Sequence, residues 1–123
     1  MSRRILVVDD QADNRRILRD LLTSATFEVI EAKTGEEAVT LAEAQVPDLI
    51  LMDIQLPGID GYEATRQIKA KPALKTTPLI VVTSYALSGD EAKAFTAGAD
   101  AYVSKPFSPR ALLAKVREFL GPA

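Results

Sequence analysis

Three stretches of four residues, Ile5-Leu6-Val7-Val8, Leu49-Ile50-Leu51-Met52 and Leu79-Ile80-Val81-Val82, are apolar at every position. Successive side chains of a strand point to opposite faces, so a run with no polar residue leaves no face for water. Strands of this kind are covered on both sides, as in a parallel sheet layered between helices. Two weaker runs, Val29-Ile30 and Ala101-Tyr102-Val103, bring the series to five. Glu28 and Glu31 flank the former, which predicts an edge strand.

Helical patterns fill the gaps. Ile17, Leu18, Leu21, Leu22 and Ala25 predict one apolar helix face. Thr34 stands three residues before Glu37, the spacing of a capping box, ahead of Ala38, Leu41 and Ala42. A third helix is predicted from Gly61 or Tyr62 to about Lys71, where Pro72 follows. A fourth starts near Gly89 or Asp90, carries Ala92 and Phe95, and ends near Gly98. Ser108 and Pro109 suit the cap and first position of a last helix, with Leu112, Leu113, Val116, Phe119 and Leu120 facing the core. Five strands alternating with five helices predict an α/β sandwich, its parallel sheet covered by helices on both faces.

At 123 residues, 47% of them apolar, the chain is long enough to build a core without staples. It has no cysteine, which removes disulfides and thiolate chemistry, and no histidine, so any phosphohistidine in its chemistry belongs to a partner. With a net charge of −2, direct nucleic-acid binding is disfavoured, and the pairs Arg3-Arg4 and Arg15-Arg16 read as solvated faces. The apolar run after Arg4 stops at two aspartates, too soon for a signal peptide, and no segment nears the ~20 apolar residues of a membrane span. The expectation is a soluble, cytoplasmic protein with no direct nucleic-acid or membrane partner.

In an open parallel sheet the binding site lies at the carboxyl ends of the strands. Here those ends carry Asp9-Asp10, Asp53, Thr83-Ser84 and Ser104-Lys105-Pro106. A single aspartate after a strand is ordinarily a cap or turn former. Three carboxylates, a hydroxyl and an ammonium on one rim are a different matter. Clustered carboxylates need a cation, and all-oxygen ligands suit a hard ion such as Mg²⁺. A carboxylate beside it can attack phosphorus to form an acyl phosphate. Asp53, at the end of an apolar run and before the Pro57-Gly58 turn, reads as that nucleophile, kept ionised by metal and ammonium.

The motifs VVDD (7–10), LMDIQLPGIDG (51–61), VVTS (81–84) and GADAYVSKPF (98–107), in this order and spacing, resemble the response-regulator receiver domain of two-component signalling, the CheY-like fold. The likeness covers essentially the whole chain. It implies a five-stranded parallel sheet of order 2-1-3-4-5 between five helices. Asp53 matches the phosphoacceptor, and Asp9 and Asp10 the acidic pair that holds Mg²⁺, with the backbone carbonyl of Gln55 completing the metal shell. Thr83 matches the switch hydroxyl, Tyr102 the aromatic switch residue, and Lys105 the lysine that pairs with phosphate. The Lys105-Pro106 bond is expected to be cis. Ser84 stands where the family has Ala or Gly and is expected to contact phosphate. Tyr85 follows at a position that tunes hydrolysis.

The resemblance implies a stoichiometric switch rather than a turnover enzyme, phosphorylated by a sensor histidine kinase or histidine phosphotransfer protein. Residues 1–123 are expected to form one receiver domain without an output domain, a monomer or a phosphorylation-linked homodimer, acting through the face of the fourth helix, fifth strand and fifth helix. Alternatives are a Mg²⁺ phosphatase of the haloacid-dehalogenase type and a pseudo-receiver that only docks. The former places a second Asp where Gln55 stands. The latter would have lost Asp53, an acid or Lys105, all of which are present. A flavodoxin-like carrier is disfavoured because DDQADNRR is acidic where a phosphate cradle should be glycine-rich.

Overall fold

The computed structural model describes residues 3–83 and 90–121. Its elements are β1 (Arg4–Val8), α1 (Ala12–Ser24), β2 (Glu28–Ala32), α2 (Gly35–Gln45), β3 (Leu49–Met52), α3 (Gly61–Lys69), a 3₁₀ turn (Pro72–Leu74), β4 (Leu79–Thr83), α4 (Asp90–Ala97), β5 (Ala101–Ser104) and α5 (Pro109–Leu120). All strand pairs are parallel, and the sheet order is β2-β1-β3-β4-β5. The α/β sandwich read from the sequence and the strand order implied by the resemblance are those of the structure, with β2 at an edge.

The continuous apolar runs are explained by two cores, one on each side of the sheet. Leu6, Val8, Ile50, Met52, Leu79 and Val81 point to one side, where Ala38 and Ala42 of α2, Ala64 and Ile68 of α3 and Ala94 of α4 cover them. The alternate residues Ile5, Val7, Leu49, Leu51, Ile80 and Val82 meet Leu18 and Leu22 of α1 and Leu112, Val116 and Leu120 of α5. A fully buried side chain of this size contributes about 1.5–3 kcal/mol relative to exposure, so a polar residue on either face would be costly.

Helix starts follow local chemistry. Thr34, Asp60 and Ser108 each accept a hydrogen bond from the amide three residues on, at Glu37, Glu63 and Ala111. The predicted third helix is shorter than expected: it ends at Lys69, and Pro72 opens a 3₁₀ turn instead.

Two positions read onto apolar helix faces are exposed, Ile17 (59%) and Phe119 (38%), and so is Phe95 of α4 (44%). In α4 the buried residues are the small ones, Ala94 and Ala97, and Ala92 is exposed. Small side chains at that i, i+3 spacing let the helix lie close to its neighbours, which turns the phenyl ring outward. Among the described residues, no helix is long and apolar enough to cross a membrane.

Candidate functional site

The sheet places the acids by continuing its own hydrogen bonding one residue past each strand. The amide of Asp9 donates to Ala32 O (3.1 Å), that of Asp53 to Val8 O (3.0 Å), and that of Lys105 to Thr83 O (2.8 Å). Asp9, Asp53 and Lys105 are therefore held as firmly as strand residues, while their side chains stand at the rim.

Asp9 is 2% exposed and Asp53 8% exposed. One oxygen from each of Asp9, Asp10 and Asp53 lies within 4.8 Å of the others. The ammonium of Lys105 donates to Asp9 Oδ2 (3.1 Å) and Asp53 Oδ2 (3.3 Å). The other Asp53 oxygen, Oδ1, accepts from the amides of Ile54 (2.7 Å) and Gln55 (3.3 Å). Asp9 Oδ1 accepts from the amide of Gln11 (2.9 Å). Burial is the largest influence on Asp53 and raises its pKa; Lys105 opposes it and Asp9 adds to it, leaving the carboxyl above its ordinary value. Burial alone would lower the pKa of Lys105, but Asp53 and Asp9 together outweigh it and raise it.

The donor set fits a hard divalent cation. It is all oxygen, and one ammonium faces three carboxylates. Asp10 is exposed, so the cluster opens to solvent. Gln55 is also exposed, in the loop that leaves Asp53.

Thr83 ends β4 fully buried. Tyr102 is half-buried and packs against the α2–α3–α4 core, paired in register with Val81. The Lys105-Pro106 peptide bond is cis. Ser84, Tyr85 and Gly89 lie outside the described residues.

Two contributors were not assigned these roles from the sequence. Gly61 opens α3 against the segment that leaves β3: a Cβ there would sit 2.1 Å from the carbonyl oxygen of Asp53 and 2.7 Å from Ile54 Cα. Only glycine fits, and its amide donates to Ile54 O (2.9 Å). The sequence signal was the glycine itself, read as a candidate start of the third helix but not as a point of close approach to Asp53. Arg15, read as a solvated charge, has a side chain just 15% exposed. It pairs with Glu31 (3.2 Å) and donates to the backbone carbonyl of Asp9 (2.8 Å).

A parallel sheet of this order with an acidic cluster and a lysine at its carboxyl rim is the arrangement of a receiver domain. The family model of the response regulator receiver domain matches residues 5–117, and the chain belongs to that family. It is 39% identical to the polar-differentiation response regulator DivK of Brucella ovis, over the full length of both chains. The receiver domain of sensor histidine kinase PA1611 from Pseudomonas aeruginosa superposes with a TM-score of 0.91 at 36% identity, covering 98% of this chain and 99% of that one; its active-site cleft holds a magnesium ion. The chemotaxis protein CheY4 of Vibrio cholerae superposes with a TM-score of 0.91 at 27% identity, covering 97% and 99%. The chain is thus a response-regulator receiver domain, a fold of phosphorylation-dependent signalling.

Proposed function

We propose that Asp53 accepts a phosphoryl group from the phosphohistidine of a partner, a sensor histidine kinase or histidine phosphotransfer protein, and that the chain works as a stoichiometric switch rather than a turnover enzyme. The observation that carries this reading is the Asp53 carboxylate itself. One oxygen is fixed by two backbone amides, and the other faces Lys105 beside two further acids. An Asp53 oxygen forms the new O–P bond as the P–N bond of the donor breaks, its electron pair leaving with the imidazole nitrogen. The two amides restrict the rotation of the carboxylate and so favour a single attack geometry. Lys105 donates to the incoming phosphoryl oxygens, where charge accumulates. Asp9, Asp10, Asp53 and the main-chain carbonyl of Gln55 would hold Mg²⁺, which when bound supplies positive charge against the acids and the phosphoryl oxygens. Thr83 and Ser84 are assigned the remaining hydroxyl contacts, and Tyr102 follows Thr83 as the switch pair. Asp53→Asn is expected to abolish labelling by acetyl phosphate in Mg²⁺ while keeping the fold; comparable labelling of the variant would overturn the assignment.

An apolar groove of about 330 Å³ supports the donor's route. It runs between α1 and the segment after β5, lined by Ile17, Leu18, Leu21, Lys105, Pro106 and Phe107. Lys105 belongs to both groove and site, so a donor seated there lies beside Asp53, and the exposed Ile17 becomes a contact for it. Ile17→Asp is expected to slow transfer from a phosphohistidine donor protein about tenfold, the scale of a hot-spot contact, and to leave labelling by acetyl phosphate unchanged. An equal loss with both donors would point to damage at the site instead.

The output face is assigned to α4, β5 and α5. These two helices flank the β5 edge of the sheet from opposite sides, and each exposes a phenylalanine, Phe95 and Phe119. Movement of Thr83 toward the phosphoryl group would shift Tyr102 and with it this surface, where a target protein or a second phosphorylated copy would dock.

A further inference from the structure

We propose that Arg15 is a positioning residue for the acidic pair. Its guanidinium holds the main-chain carbonyl of Asp9 and anchors on Glu31, fixing the turn that presents Asp9 and Asp10 to a divalent cation. This inference rests on the reading of the acids as a Mg²⁺ site.

Asp9 is buried, and each of its polar groups has a partner. Its amide donates to Ala32 O, one carboxylate oxygen takes the Gln11 amide, the other takes Lys105, and its carbonyl takes Arg15 Nη1 at 2.8 Å. Arg15 reaches that carbonyl from a charged group, the stronger kind of hydrogen bond. The residue is anchored in the first turn of α1, its amide donating to Gln11 O at 3.1 Å. The side chain is itself held. Nε donates to Glu31 Oε1 at 3.2 Å, while Arg19 Nη1 donates to Glu31 Oε2 at 3.1 Å. Glu31 thus splits its two oxygens between two arginines, and only one of these goes on to Asp9.

The placement of the charge matters as much as its presence. Arg15 binds the backbone of Asp9 and leaves the carboxylates to Lys105 and the cation. Asp10 follows Asp9 directly and is exposed, so the direction of its carboxylate depends on the conformation of this turn. Outer partners that orient metal ligands in this way typically govern metal affinity more than they govern the fold.

The test is Mg²⁺ titration of the full chain by calorimetry, with melting temperature followed in chelator. Arg15→Ala is expected to weaken Mg²⁺ binding about tenfold. Arg15→Lys is expected to recover part of it, since an ammonium can reach the carbonyl or Glu31 but lacks the fork that spans both. Arg19→Ala, which touches Glu31 but not Asp9, is expected to stay within about twofold of the parent, as suits a charge pair that is half exposed. The Mg²⁺ concentration that half-saturates acetyl-phosphate labelling should move with the calorimetric affinity in Arg15→Ala. Unchanged Mg²⁺ affinity in Arg15→Ala, or an equal loss in Arg19→Ala, overturns the proposal. A parent that binds no Mg²⁺ overturns the reading of the site beneath it as well.

Discussion

A lysine and an aspartate meet at each end of the sheet, and the two meetings differ in their charge balance. At the amino ends of the strands, Lys69 donates to the carbonyls of Lys75 and Thr77 and to Asp100 Oδ2 (3.0 Å). Asp100 Oδ2 also accepts from the amide of Leu79, the first residue of β4 (2.8 Å). One cation meets one anion, the three ammonium protons all have acceptors, and the aliphatic stem packs beside Gly98. That cluster is electrically closed and ties α3 to the starts of β4 and β5. At the carboxyl ends, Lys105 faces Asp9 and Asp53 with Asp10 alongside. Three anions share one cation, so this end is open to more positive charge. The residue types are the same; charge count separates a fastening from a binding site.

The comparison is broken or sharpened first by Mg²⁺. At a hundredfold excess over its dissociation constant, the ion should stabilise the parent by about 2.7 kcal/mol. Thermal melts with and without millimolar Mg²⁺ read this directly; an unmoved Tm would mean that the carboxyl end is as closed as the other. Asp100→Ala comes next. It leaves the Lys69 ammonium and the Leu79 amide short of an acceptor, and should cost about 2 kcal/mol in urea unfolding, equally in Mg²⁺ and in chelator. A loss confined to one of these conditions would show that the two ends are coupled.

Smallest, and opposite in sign, is the effect of Asp53→Asn in chelator, which should raise Tm slightly. The folded-state pKa of Asp53 is raised. Its contribution to stability is therefore fully present below the unfolded pKa and is lost as pH rises through the folded one. At neutral pH the ionised group works against the fold, and asparagine removes that penalty. The gain should shrink as the pH is lowered toward the unfolded carboxylate pKa. A variant that melts below the parent at neutral pH without metal would show that the Lys105 pairing outweighs the cost of burial and the repulsion from Asp9.

The sheet was legible because strands covered on both faces leave an unbroken apolar run, which few other arrangements produce. The acids and Lys105 were legible because they end those runs, and a parallel sheet brings such ends to one rim. Helix faces were read less well. Periodicity shows that Ile17 and Phe119 lie on apolar stripes, but not how wide a stripe the sheet and neighbouring helices cover, and both fall at the uncovered margin. In α4 the residues named from the sequence, Ala92 and Phe95, are exposed, while the buried face is carried by Ala94 and Ala97. Arg15 was out of reach for another reason. Its partners, Asp9 and Glu31, come together only when β1 and β2 pair with α1 above them, and nothing in Arg15-Arg16 distinguishes the residue that turns inward.

The bond between Lys105 and Asp9 joins residues 96 positions apart. Lys105 reaches the rim only after β5 has paired with β4, β4 with β3, and β3 with β1. During synthesis, the acidic pair leaves the ribosome well before its ammonium, with 96 positions of chain between Asp9 and Lys105. A polypeptide that ends before β5 therefore has the carboxylates but not the lysine that pairs with them, and the charge cluster is completed only with the sheet.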